Sequence, residues 1–371
     1  MKIGTDQYNT FDTMTMDCWN DRVYYEGKEF PAGHFAAEIL NFAGVIHDPL
    51  LERITVLTAL VDDLSTAEKS KRHDIAAQLK PLLHDTVSWL YTCPPFCYCE
   101  SQGAYEDLEH ALSEERLDRD YEEGEAHLPY LALSSCEPIL RILVAIYNFC
   151  LLIRAFEKKY LRRAKRRNAD AFAKAAHECF DEDDSFLILL EQMPFGGVEK
   201  FFSYPRVITG FNYFQDENDE EKWKTAQRVI CKRAIDFYVF DLMNGLHHGH
   251  APSQCQGCGR YFLTTNGHIP KYCDGVAPQD NRYTCRQYGA MKHQKEQNKQ
   301  HPVYRLFNTR TDTIRKHHQR GKISDDLRRE ALYLAGSYRD KALMDNDYAA
   351  DGYARDMELE HIYAEAEKRL K

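Results

Sequence analysis

Cys255, Cys258, Cys273 and Cys285 stand in the run CQGCGRYFLTTNGHIPKYCDGVAPQDNRYTC. A CxxC pair followed by two further cysteines supplies four thiolates, the complement that closes a tetrahedral structural zinc site. An ion held by four thiolates keeps no position for water, so the chemistry expected is structural rather than catalytic. Gly257 and Gly259 flank Cys258. A knuckle bends there so that backbone amides point at sulfur, and glycine tolerates the positive φ that such a bend uses. Tyr261, Phe262 and Tyr272 are near enough in sequence to form a small apolar cap. A module this short cannot bury enough surface to fold alone, so bound metal has to stabilise it. The long gap between Cys273 and Cys285 departs from a paired-CxxC ribbon and leaves the fourth ligand open. Cys285 and a histidine among His247, His248 and His250 are the alternatives.

The order Cys258, Phe262, Lys271-Tyr272-Cys273 and Cys285, followed by a basic segment, resembles the CGNR-type zinc finger. That family places an aromatic residue at the Phe262 spacing after its second cysteine and a basic–aromatic pair before its third. This chain departs from it in a shorter first gap and a much longer last one, and Arg286-Gln287-Tyr288 stands where the family has Gly-Asn-Arg. The resemblance covers only the finger and the segment after it. It implies a helical N-terminal domain ahead of a C-terminal finger and a bacterial regulator of transcription, here an uncharacterised relative with the same layout.

Charge changes sign after the cysteines. The chain carries −10 overall, yet Arg286 to Lys322 holds ten Lys or Arg against Glu296 and Asp312, a local +8 that leaves −18 elsewhere. Tyr288, Tyr304 and Phe307 are interleaved. Such asymmetry is the electrostatic footprint of a phosphate-binding face. If Cys285 starts a helix, Lys292, Lys295 and Lys299 recur at helical spacing and share one side. Arg286, Lys292, Lys295, Lys299, Arg305, Arg315 and Arg320 are the candidate contacts to DNA or RNA. The alternative is a zinc-stabilised protein-interaction module that binds no nucleic acid, its basic segment docking on the acidic N-terminal half or on a protein partner.

The elements that must carry these residues read as mainly α. Leu51, Ile54, Leu57, Leu60 and Val61 form an apolar stripe at helical period, and a further helical run continues to about Leu90. Pro138 sits where a helix opens, ahead of the apolar window Ile142–Ile153, which reads as a buried core helix too short to span a bilayer. Ala169–Phe180 reads as a helix. Arg22–Phe30 around Gly27 reads as a hairpin, and Arg206–Phe214 as a lone strand. Pro194, Gly196 and Gly197 mark a loop. Asn218 followed by Asp219, Glu220 and Glu221 reads as the capped start of one long helix to Leu246. Ser324 with Asp325 and Asp326 caps a helix in the tail. The expected architecture is a multi-helix N-terminal domain over 1–250, a small four-cysteine zinc finger over 251–300 and a C-terminal helical hairpin over 301–371.

Other signals are read as structural. Cys136, Cys150, Cys179 and Cys231 lie singly in apolar stretches, which suits buried thiols in a reducing compartment. Cys93, Cys97 and Cys99 are taken the same way, and the basic run Lys158–Arg167 as a solvated helix face. With no apolar h-region at the N-terminus, a cytoplasmic protein without membrane contact is expected. No GxGxxG, Walker loop, HExxH or GxSxG is present, so no enzyme activity is expected. His317-x-x-Arg320 matches the His-x-x-Arg pair of recombinases, a pattern that chance readily supplies in a basic helix. The reading is a zinc-binding, nucleic-acid-binding or transcription-regulatory factor.

Overall fold

The computed structural model describes residues 13–42, 49–99, 102–118, 121–123, 126–128, 130–164, 166–184, 205–216, 219–265 and 271–370. The chain divides into two compact units, Met1–Lys271 and Tyr272–Lys371. The first unit is not the mainly helical domain expected of it. A five-stranded antiparallel sheet among the described residues corrects the mainly-α reading to a mixed α/β one.

In chain order the first unit runs β1 (Met14–Trp19), β2 (Arg22–Tyr25), β3 (Lys28–Pro31), α1 (His34–Glu38), α2 (Pro49–Thr66), α3 (Lys69–Leu90), α4 (Gln102–Ala111) and α5 (Glu114–Asp118). A short pair β4 (Tyr121–Glu123) and β5 (Ala126–Leu128) precedes α6 (Tyr130–Lys159) and α7 (Ala169–Phe180). Then come β6 (Val207–Asp216), β7 (Asp219–Cys231), α8 (Ala234–His247), β8 (Ala251–Gln254) and β9 (Tyr261–Thr264).

The main sheet has the order β3-β2-β1-β7-β6. The hairpin expected near Gly27 is its outer edge, turning through Glu26 and Gly27 at φ 47° and 71°. A turn with two successive positive φ angles matches the twist of the flanking strands. On β1 and β7, Met14 lies opposite Cys231 and Met16 opposite Val229, and all four are buried. On the opposite face Asp17 lies across from Arg228 and takes a bidentate pair of 2.9 Å hydrogen bonds from it, with a third at 2.8 Å from Asn212. The lone strand expected at 206–214 is therefore one arm of a long hairpin. Its other arm occupies the first half of the helix expected from Asn218, a residue outside those described, as is the Pro194–Gly197 loop. The acids Asp219 to Glu221 suit a helix start, but Trp223, Thr225, Val229 and Ile230 are aromatic and β-branched, and pairing with β1 and β6 decides the outcome.

Helices cover the buried side of the sheet. α2 buries Leu50, Ile54, Leu57, Val61 and Leu64. The core helix α6 starts at Tyr130, so Pro138 lies within it rather than opening it. The segment Cys136–Arg163 is long and apolar enough to cross a membrane by length and composition, more than the window Ile142–Ile153 suggests. Its Ile142, Leu143, Ile146, Phe149, Cys150 and Ile153 are buried in the core. α8 contributes Phe237, Tyr238, Val239, Leu242 and Leu246 to the same core. Two of its residues fix α1. Asp241 accepts hydrogen bonds from the Gly33 and Ala36 amides, both at 2.9 Å, and so serves as the missing N-cap of α1. Gly245 packs so closely on Gly33 that a β-carbon would lie 2.8 Å from its Cα.

The second unit holds β10 (Val276–Ala277), β11 (Asp280–Thr284), α9 (Cys285–Gln300), α10 (Pro302–Gln319), α11 (Asp325–Met344), α12 (Tyr353–Asp356) and α13 (Leu359–Leu370). The Ser324 side chain accepts from the Leu327 amide at 3.2 Å, the cap read from sequence. Its core is small. Val303, Ile314, Leu334, Ala335, Tyr353, Met357 and Ile362 meet, and the Tyr353 hydroxyl donates to the Val303 carbonyl at 2.9 Å.

Candidate metal centre

Cys255 follows β8 and opens the turn to β9. Its amide donates to the Arg260 carbonyl at 2.8 Å, and the Gly259 amide donates to the Cys255 carbonyl at 2.9 Å. The Gly257 amide points at the Cys255 sulfur at 3.3 Å. This is the bend the CxxC spacing predicts. Gly259 has φ 77°, the left-handed conformation that such a bend uses.

Side chains from the helical body of the same unit hold the β8–β9 hairpin. Asn41 grips Tyr261 twice, accepting from its amide at 2.7 Å and donating to its carbonyl at 3.1 Å. Arg162 reaches Gln254 at 3.2 Å, and Arg167 reaches Thr264 at 3.2 Å. These arginines belong to the run read as a solvated face; Lys158, Lys159, Arg162, Arg163 and Arg166 are exposed as that reading has it, and Arg167 departs from it. Arg167 is buried, and Arg162 pairs at 2.9 Å with the carboxylate of buried Glu157.

Cys273 and Cys285 are set by a different device. The Cys285 amide donates to the Gly275 carbonyl at 2.8 Å, and the Arg286 amide to the Cys273 carbonyl at 3.1 Å. Cys285 is the first residue of α9. Just before it, the Thr284 hydroxyl accepts from the Gln287 amide at 3.2 Å, and the Gln287 side chain accepts from the Thr284 amide at 2.9 Å. That reciprocal pair is a capping box. A thiol at a helix N-terminus sits where the peptide dipoles favour its anionic form. Tyr272 packs on Gly289 of α9 so tightly that a β-carbon there would fall 2.4 Å from its ring. The signature Thr284-x-x-Gln287 is legible in the sequence and marks where α9 begins.

The sulfurs of Cys255, Cys258, Cys273 and Cys285 all lie within 4.8 Å of one another, in a group that could hold a metal ion. A tetrahedral ion bonded at ~2.3 Å to each sulfur separates them by ~3.8 Å, so the cluster has the right size. Cys255, Cys273 and Cys285 are buried and Cys258 half-buried. Among the described residues no histidine joins the group. His250 is occupied elsewhere, its Nδ1 3.0 Å from the Ala32 carbonyl.

The candidate phosphate contacts fall on two helices. α9 carries Lys292, Lys295 and Lys299 along one side, with Lys292 and Lys295 exposed and the Lys299 side chain outside those described. Arg305 and Arg315 are exposed on α10, and Arg320 ends that helix. Two of the seven already have acids beside them, Arg286 with Asp274 at 3.0 Å and Arg315 with Asp312 at 3.1 Å. His317 lies 2.9 Å from the Tyr363 hydroxyl, which gives the His-x-x-Arg pattern a packing role. Of the CPPFCYC thiols Cys93 is buried as expected, but Cys97 is exposed and Cys99 half-buried beside the Tyr25 hydroxyl at 3.2 Å.

Comparison with curated proteins and with solved structures finds no match in either. A family model described as a family of unknown function (DUF6076) matches residues 203–369, less than half of the chain, from just before the β6–β7 hairpin through the four cysteines to the last helix.

Proposed function

We propose that the chain is a zinc-binding protein whose four cysteines hold one structural Zn2+, and that it binds nucleic acid through α9 and α10. The donor set supports zinc: four sulfurs of suitable spacing, with one amide aimed at sulfur and one thiol at a helix start. Four thiolates close the coordination shell, so the metal organises the fold and does no chemistry. The observation that carries the nucleic-acid reading is the set of exposed cations. Lys292, Lys295, Arg305, Lys316, Arg320 and Lys322 are exposed, and none forms an ion pair with a described acid. Phosphates neutralised by such groups release counterions, so affinity falls steeply as salt rises. A role in transcription regulation, as the CGNR resemblance implies, belongs to the same proposal, as does a place in the cytoplasm.

Two measurements test it. Elemental analysis of the purified protein should return one zinc per chain. Titration of duplex DNA and single-stranded RNA at several salt concentrations should show salt-dependent binding that Lys292→Glu/Arg305→Glu weakens. Absent binding, or binding equal in both proteins and indifferent to salt, would leave the protein-interaction alternative in its place.

A further inference from the structure

A cleft between α9 and α10 contains chemistry that phosphate contacts do not need. It has a volume of about 440 Å3 and is lined by Gln294 and Lys295 of α9, Tyr304, Phe307 and Asn308 of α10, and Arg339 of α11. That size lies within the ~300–1,000 Å3 range of small-ligand sites. The Arg339 guanidinium lies over the Phe307 ring, its carbon 4.6 Å from the centroid. Its Nε and Nη2 both donate to Asp340, at 2.8 and 2.6 Å. The arginine's charge therefore already has a carboxylate beside it. What remains of it is a flat face backed by an aromatic ring.

A phosphate asks only for cations and N–H donors. Nucleobases stack on aromatic rings and guanidinium planes, and their edges carry both donors and acceptors. A side-chain amide offers both in return. Gln294 and Asn308 are exposed amides on the cleft wall, and Lys295 is an exposed cation beside them. We propose that this cleft takes one unstacked base of a single-stranded nucleic acid. The base layers on the Arg339 face that Phe307 backs, Gln294 and Asn308 meet its edge, and Lys295 meets the adjoining phosphate. The proposal rests on the nucleic-acid reading above. It also selects the form of the polymer, because a paired base must first leave its stack, which a duplex resists.

The test uses the full chain and fluorescein-labelled oligonucleotides, read by anisotropy at several salt concentrations. DNA and RNA single strands are compared with a hairpin duplex. Arg339→Lys keeps the charge and removes the plane. Gln294→Ala/Asn308→Ala changes two exposed side chains, so folding is preserved. Arg339→Lys is expected to weaken single-strand binding about tenfold, the scale of one base stack removed, and the double amide variant about tenfold through the loss of two hydrogen bonds, with the salt slope and duplex affinity as in wild type. A 2-aminopurine in the strand should be less quenched in Arg339→Lys than in wild type. Pocket variants that bind a single strand as wild type does, or that lose single strand and duplex equally, overturn the base pocket. Should Lys292→Glu/Arg305→Glu alone lose affinity, the pocket fails and the phosphate reading stands. A wild-type protein that binds neither form removes both.

Discussion

The two units treat charge in opposite ways. Among the described residues of the first unit several charged groups are drawn into the structure and answered there. Asp241 is fully buried under two amides, Asp17 is clasped by Arg228 and Asn212, Asp236 by Arg233, and Glu157 by Arg162. In residues 272–371 the acids sit on their own turns beside arginines, as in Arg315–Asp312 and Arg328–Asp325, and a set of lysines and arginines faces water. A buried charge must be answered within the fold, because leaving it unpaired costs several kcal/mol. An exposed cation stabilises little and stays available. Among the described residues the buried Asp, Glu and Arg side chains all belong to the first unit, whereas the charges of the second lie at its surface.

The comparison breaks most visibly at the cysteines, because the second unit's core is small and the proposed zinc would add to it. Structural zinc contributes apparent binding energies of about 10–16 kcal/mol in finger peptides. Cys273→Ser/Cys285→Ser should lose zinc and lose amide-exchange protection in β10, β11 and the first turn of α9. The α6 core should stay protected, because it is packed by apolar side chains. Unchanged protection around β11 in the variant would show that the finger folds without its ion.

Next in size is the first unit's buried carboxylate. Asp241→Ala leaves the Gly33 and Ala36 amides without an acceptor, at a cost of about 2–4 kcal/mol. Burial pushes the Asp241 carboxyl up to about 7, against the pull of its amide hydrogen bonds. An aspartate in the unfolded chain titrates near ~3.9. A folded value above the unfolded one means the protonated form is favoured in the fold. This group's stabilisation is thus complete below about pH 4 and is lost as pH rises through about 7. Urea midpoints measured across that window should decline in wild type and be flatter in Asp241→Asn. Equal slopes would remove Asp241 as their source.

Local signals are legible where one segment decides its own structure. The stripe of α2, the helix Ala169–Phe180 and the Ser324 cap follow from residues a few positions apart. The CxxC bend does too. What stays hidden in the sequence depends on partners far along the chain. β7 reads as a helix start until β1, some two hundred residues earlier, pairs with it (Asp17 with Arg228). Asp241 caps a helix that begins at His34, and Arg167 looks solvated until Thr264 lies beside it. Pro138 suggests a helix start because proline favours that position, yet packing of the apolar segment behind it extends α6 back to Tyr130. Of the candidate nucleic-acid residues, Arg286 and Arg315 give up their apparent freedom to acids at Asp274 and Asp312.

A smaller effect sharpens the contrast inside the finger. Thr284→Ala removes one half of the box that starts α9, and loss of such a cap costs about 1 kcal/mol. The Gln287 side chain would still accept from the residue-284 amide, so the loss should be partial. Chemical denaturation followed by the far-ultraviolet signal of the second unit's helices should register it. A variant as stable as wild type would mean that bound metal alone fixes the first turn.

The smallest expected change in stability accompanies the largest expected change in binding. Lys292 and Arg305 are exposed, and surface substitutions away from packing or caps stay within about 0.5 kcal/mol. Lys292→Glu/Arg305→Glu should therefore unfold at the wild-type denaturant concentration. Each phosphate that the variant no longer neutralises should lower the slope of log affinity against log salt by about 0.9 on a duplex and about 0.7 on a single strand. The reverse substitution in the first unit, Arg228→Glu, sets two carboxylates together where Asp17 now has its partner. It should destabilise the fold and leave the salt slope alone. If the two variants behaved alike in both assays, charge would do the same work in the two units and the contrast between them would fall.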